Sequence, residues 1–206
     1  MFALFNILVL VFSVIVHEVA HGAMADYLGD KTAKEMGRLS VNPLRHIDLF
    51  GSILVPLFLI LSKSHILVGW AKPVPVNPYA LRDKKYGQAK VALAGPLANI
   101  TIAVFFGLLL RFVPWHSSLF WQNIAIIFQY IVWINLVLAI FNLVPIPPLD
   151  GSHILFAFLP FSAQSLKIFL TQFGIFFLFL FILFVFPYFD GLLIKIFHLL
   201  TGIKII

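Results

Sequence analysis

The first hydrophobic run of the chain, Phe2 to Val16, leads straight into His17-Glu18-Val19-Ala20-His21, so three ionisable side chains fall on an apolar segment. From Met1 to about Leu28 that segment is long enough to cross the roughly 30 Å hydrocarbon core of a bilayer as a helix. A charged side chain at the bilayer centre costs about 2.5 to 3.5 kcal/mol on insertion scales, so such groups face a cavity or a partner and mark function. Residues four apart share one helix face, and the two imidazoles can therefore take one metal ion between them. Glu18 projects beside them, where a carboxylate can accept a proton from a metal-bound water. On a soluble helix the same five residues are often a chance pattern; burial in lipid turns the reading towards function.

The rest of the chain fits that setting. Of its 206 residues 62% are hydrophobic and 11% charged, against an apolar share of roughly 45 to 50% in soluble domains. This is the composition of a polytopic membrane protein. The formal net charge of +6 comes from Lys and Arg gathered between the apolar runs, which reads as membrane topology and not as a nucleic-acid surface. Without cysteine, disulfides, thiolate metal sites and cysteine nucleophiles are all excluded, and a metal must use His, Asp or Glu. The N-terminal run lacks the basic flank of a cleaved signal and is expected to be retained. With no internal repeat and no Gly/Ser linker, residues 1–206 read as one domain.

Along the chain, Lys31 to Asp48 is a basic, turn-rich loop, and Leu49 to Leu61, interrupted by Gly51 and Pro56, is too short to span and reads as re-entrant. Pro73-Val74-Pro75-Val76-Asn77-Pro78 cannot be helix and is expected to be extended, as a connector or as an edge that a substrate strand could join. A span follows from about Val91 to Phe112, with Gly95 and Asn99 on one face for close packing or a site role. Another runs from about Trp121 to Val144 and carries Asn135 and Asn142. Pro145, Pro147 and Pro148 then break the helix ahead of Asp150-Gly151, and exposed backbone at membrane depth is tolerated only along an enclosed or wet cavity. Leu166 to Phe186 reads as a lipid-facing span, and the tail from Asp190 to Ile206 as an amphipathic helix or a short span. The expected fold is all-α: a three-helix core, an additional C-terminal transmembrane helix, and a re-entrant or extended loop between the first two core helices.

Taken in order, the HEVAH run, Gly37 to Pro43, His46 to Gly51, Gly69 to Pro78, Gly95 to Asn99 and the Asn142 to Gly151 block resemble the site-2 protease family of intramembrane zinc metalloproteases, in its compact bacterial and archaeal form. Each piece is short; their number and order carry the resemblance. It implies that His17, His21 and Asp150 bind one Zn²⁺ per chain, that Glu18 activates water, and that the substrate is a transmembrane segment of another membrane protein. Leu49 stands where the family commonly has proline, and His153 where a basic residue is expected; His153 lies close enough to Asp150 in sequence to be an alternative ligand. Only Pro114 to Phe120 separates the second and third core helices, so no PDZ-like module is inserted there.

Three protein ligands leave a fourth tetrahedral position open, the layout of a catalytic zinc site. Asn142, with Asn99 second, is the candidate donor to a developing oxyanion, because a neutral amide donates in a dry site without a charge penalty. Two rivals come from other classes: an inactive membrane scaffold of the same fold, and an ion or solute transporter, which accounts for Asp150 but not for Glu18 beside a His pair. If Leu49 to Leu61 is re-entrant, only Arg111, Lys195 and Lys204 lie outside, and the His pair and Asp150 face the cytoplasmic leaflet.

Overall fold

The computed structural model describes residues 2–48, 54, 58, 71–112 and 118–203. Among these residues every regular element is helical. Helix α1 (Phe2–Tyr27) ends at Gly29, whose φ of 108° an L side chain would resist, and a short α2 (Thr32–Glu35) follows. Helices α3 (Gly87–Phe112) and α4 (Leu119–Asn142) are 26 and 24 residues long, about 36 to 39 Å at 1.5 Å per residue and sufficient to cross a bilayer. Helix α5 (Asp150–Phe158) is short, and α6 (Gln164–Leu180) and α7 (Asp190–Thr201) close the chain.

Among the described residues, four helical stretches, 5–27, 87–112, 119–142 and 161–201, are long and apolar enough to cross a membrane. The protein is an all-α, multi-pass membrane protein, with α1, α3 and α4 packed together as its core. On α6, Phe169, Phe173, Phe176 and Phe179 stay exposed, as side chains facing lipid would.

Of the two expectations for the tail, the structure shows the amphipathic helix, with Leu193, Phe197 and Thr201 buried along one face. Helix α7 has 12 residues, about 18 Å, too short to cross alone. It instead continues the 41-residue apolar stretch from α6, through a π-helical turn at Phe181–Val185 and a 3₁₀ turn at Phe186–Phe189 that holds Pro187. Its Leu193 and Phe197 are each 1% exposed and pack with Ala103, Leu110, Ala125, Val132 and Leu136 of α3 and α4. The last helix therefore belongs to the core rather than to the lipid-facing rim.

Two breaks in the helical pattern place the site. At the end of α4 the chain turns through Leu143 to Leu149, and α5 folds back so closely that a Cβ on Gly151 would strike the carbonyls of Leu143 and Val144. Glycine is required there by space. Between α1 and α3, residues 71–77 are irregular and lead into a 3₁₀ turn at Pro78–Ala80, as alternating proline demands. The expected re-entrant run, Leu49 to Leu61, lies outside the described residues apart from Leu54 and Phe58, as do Gly69, Trp70 and residues 113–117.

Candidate metal centre

Helix α1 carries His17 and His21 one turn apart, and α5 delivers Asp150 as its first residue. Asp150 Oδ2 lies 3.0 Å from His17 Nε2 and 3.2 Å from His21 Nε2, and the two Nε2 atoms are 3.0 Å apart. Helix α3 forms the floor. A Cβ on Gly95 would sit 2.5 Å from His21 Nε2 and 2.6 Å from His17 Cε1, so only glycine lets the two rings lie against this helix.

The far side of each ring decides its tautomer. His21 Nδ1 is 2.7 Å from the Val91 carbonyl oxygen, which can only accept, so Nδ1 carries the hydrogen. His17 Nδ1 is 2.6 Å from Asn99 Oδ1. The Asn99 amide nitrogen is spent on Asn135 Oδ1 at 2.7 Å and the Ser13 carbonyl at 3.3 Å, so Oδ1 accepts and His17 Nδ1 donates. The chain continues, since Asn135 Nδ2 donates to Ser13 Oγ at 2.9 Å and the Ile131 carbonyl at 2.8 Å. Asn99 and Asn135 are fully buried, and this satisfied network holds the His17 ring in one orientation.

With Nδ1–H donating on the far side of each ring, both Nε2 atoms can present lone pairs to each other and to a carboxylate oxygen. Asp150 Oδ2 is buried with no hydrogen-bond donor. Three such acceptors at 3.0 to 3.2 Å converge on one point, where a cation would offset their mutual repulsion. Bonds of about 2.0 to 2.2 Å to a tetrahedral Zn²⁺ place ligand atoms roughly 3.3 Å apart, and two imidazoles with one carboxylate form a donor set that zinc accepts. His17, His21 and Asp150 thus fit the ion.

Glu18 stands outside this ligand group. Its Oε2 accepts the Val74 N–H at 2.8 Å, so the extended segment lies against the carboxylate. The backbone donor that a substrate strand was expected to use at Val74 is engaged within the fold. Asn142 is at the last turn of α4 and its Nδ2 donates to the Leu138 carbonyl at 2.9 Å, on its own helix. Asn99, the second amide considered, is committed to His17. His153 is not in the ligand group; its Nδ1 is 3.4 Å from Gln88 Nε2. Sequence reasoning passed over Ser13, although it sits four residues before His17 on the same helix face, a spacing that could have flagged it. It noted Asn135 without assigning it a partner, and it read the Val74 N–H as a donor for a substrate strand and not for Glu18.

A model of peptidase family M50 matches residues 5–125 and 112–183. The chain belongs to peptidase family M50. This is the site-2 protease family that the order of its motifs resembles. Among similar proteins, YwhC of Bacillus subtilis is 38% identical over 156 residues, 72% of this chain and 66% of its own length. Rip2 of Mycobacterium tuberculosis is 29% identical over 181 residues, 87% of this chain and 66% of its own. A Methanocaldococcus jannaschii protein is 51% identical over 67 residues, 32% of either chain. All three carry names that describe them as candidate zinc metalloproteases. This M50 chain spans between about a third and two thirds of the length of these relatives. No solved structure matches it.

Proposed function

We propose that this M50 chain is a zinc-dependent endopeptidase that hydrolyses peptide bonds in or near transmembrane segments of other membrane proteins. The observation that carries the reading is the convergence of three lone-pair donors, His17 Nε2, His21 Nε2 and Asp150 Oδ2, beside the carboxylate of Glu18. Zinc in that group supplies Lewis acidity, which polarises a carbonyl and lets water lose a proton near neutral pH.

The remaining work falls to the chain's own residues. Glu18 takes a proton from water as the water oxygen bonds to the peptide carbonyl carbon, and returns it to the departing nitrogen as the C–N bond breaks. The products are a carboxylate and an amine. Asn99, Asn135 and Ser13 hold the His17 ring in place during this exchange. Asn142 is the amide assigned to the developing oxyanion, its nitrogen leaving the Leu138 carbonyl for the substrate. A helical substrate must unwind locally, because its carbonyls are already hydrogen-bonded.

The proposed orientation puts the site towards the cytoplasm. Eleven of the 14 Lys and Arg residues then share the cytoplasmic side, leaving only Arg111, Lys195 and Lys204 outside, the bias that inner-membrane proteins show. An inactive scaffold needs no such ligand group, and a transporter has no use for Glu18 beside it. The test is co-expression of the chain, or its Glu18→Gln form, with a panel of single-span membrane proteins. Fragments released by the parent chain alone support the proposal; equal release by both forms overturns it.

A further inference from the structure

The segment from Lys72 to Asn77 is tied down at three backbone donors. Lys72 N–H donates to the His46 carbonyl at 2.9 Å. Val74 N–H donates to Glu18 Oε2 at 2.8 Å, and Asn77 N–H to Asp30 Oδ2 at 2.6 Å. Prolines at 73, 75 and 78 bring no N–H of their own. The Val74 side chain is 7% exposed and presses on α1, where a Cβ on Gly22 would come within 2.8 Å of Val74 Cγ1.

On the opposite side of the segment stands Arg38, 8% exposed and outside every helix. Its Nη2 donates to the Lys72 carbonyl at 2.8 Å and to the Pro73 carbonyl at 3.2 Å, and its Nη1 to the Arg45 carbonyl. The Pro73 carbonyl and the Val74 N–H belong to one planar peptide unit, in which a trans bond points the two groups in opposite directions. One end of that peptide is thus held by a guanidinium and the other end holds the carboxylate of Glu18.

The geometry points to Arg38 as a positioning residue for Glu18, acting through the Pro73–Val74 peptide; this rests on the peptidase reading and names how its base is aimed. A carboxylate on a two-carbon stem rotates freely unless an oxygen is pinned. Here Oε2 is pinned by a charge-assisted bond, which leaves Oε1 to meet water in a fixed direction. The guanidinium at the carbonyl end polarises the same peptide and strengthens its N–H as a donor. Lysine cannot replace it, because a single ammonium lacks the planar fork that reaches three carbonyls at once.

The test uses the full chain, purified with its zinc, and a substrate that the parent cleaves and Glu18→Gln does not. Val74→Pro deletes the N–H between two existing prolines, whereas Val74→Ala keeps it and trims only the side chain. Val74→Pro and Arg38→Lys should lower kcat at least about tenfold, the lower end of what a hydrogen bond to a charged group is worth, with zinc content and KM held. Val74→Ala should lose no more than about threefold on the same scale. In parallel, amide exchange at Val74 should be slow in the parent and faster in both Glu18→Ala and Arg38→Lys. Equal losses in Val74→Pro and Val74→Ala overturn the inference, and so does exchange at Val74 that ignores Glu18→Ala. A rise in kcat in Val74→Pro overturns it too, since the contact would then restrain the base. If the parent cleaves nothing, the peptidase reading fails separately, and exchange at Val74 still decides whether Arg38 and this peptide hold Glu18.

Discussion

Asn99 Oδ1 accepts the Nδ1 proton of His17 at 2.6 Å, across 82 residues of sequence, and that bond turns the Nε2 lone pair towards Asp150. Removing it frees the ring to rotate and to change tautomer. Asn99→Ala should weaken zinc binding by about 10- to 100-fold, the usual cost of losing a partner of a metal-ligating histidine. Asn135→Ala, one bond further out, should cost less. Competition against a chelator of known affinity reads both, and equal losses would mean that the network acts only through packing.

The ligand group and the proton acceptor should separate on substitution. His17→Ala, His21→Ala and Asp150→Ala should each reduce zinc well below about one ion per chain, measured by elemental analysis. Full occupancy after Asp150→Ala would move the third-ligand role elsewhere, with His153 first in line. Glu18→Gln should keep the metal and lose cleavage, and Asn142→Ala should keep the metal while kcat falls by about 10²- to 10³-fold, as for loss of an oxyanion donor.

Asp30, fully buried just beyond α1, joins that helix to the extended segment. Burial would raise its pKa, but donation from the Thr32 hydroxyl, the Asn77 N–H and the Thr32 N–H outweighs it and holds the carboxyl below the usual value. A depressed folded-state pKa contributes stability above the ordinary carboxylate pKa of about 4, and that contribution is lost as pH falls through the folded value. Asp30→Asn should therefore unfold at a lower temperature than the parent at pH 7, with the gap closing as the pH drops below about 4. A gap that is the same at pH 3 and pH 7 would assign the effect to shape and not to charge.

Orientation is testable because the chain has no cysteine of its own. Ser40→Cys and Asp83→Cys should resist an impermeant thiol reagent in intact cells, and Ser117→Cys should react. Labelling of Ser40→Cys and Asp83→Cys from opposite sides would make Leu49 to Leu61 a span and remove the shared cytoplasmic face.

The His pair was legible in the sequence because helical periodicity is local: residues 17 and 21 share a face on any α-helix. The spans were legible because the bilayer selects length and apolarity, and the break before Asp150 because proline cannot continue a helix. By itself, then, the sequence determined an all-α membrane chain with two candidate ligands on one helix and a third at a break. Only the tertiary structure decided that Gly95 makes room for both rings, that Asn99 and the Val91 carbonyl set their tautomers, and that α7 returns to the core. It alone put the Val74 N–H on Glu18. Each of these hydrogen bonds joins an ionisable side chain to a backbone group or a neutral amide 56 to 82 positions away. No periodicity, charge pattern or residue type announces such contacts, because what they depend on is the distance between helices once packed.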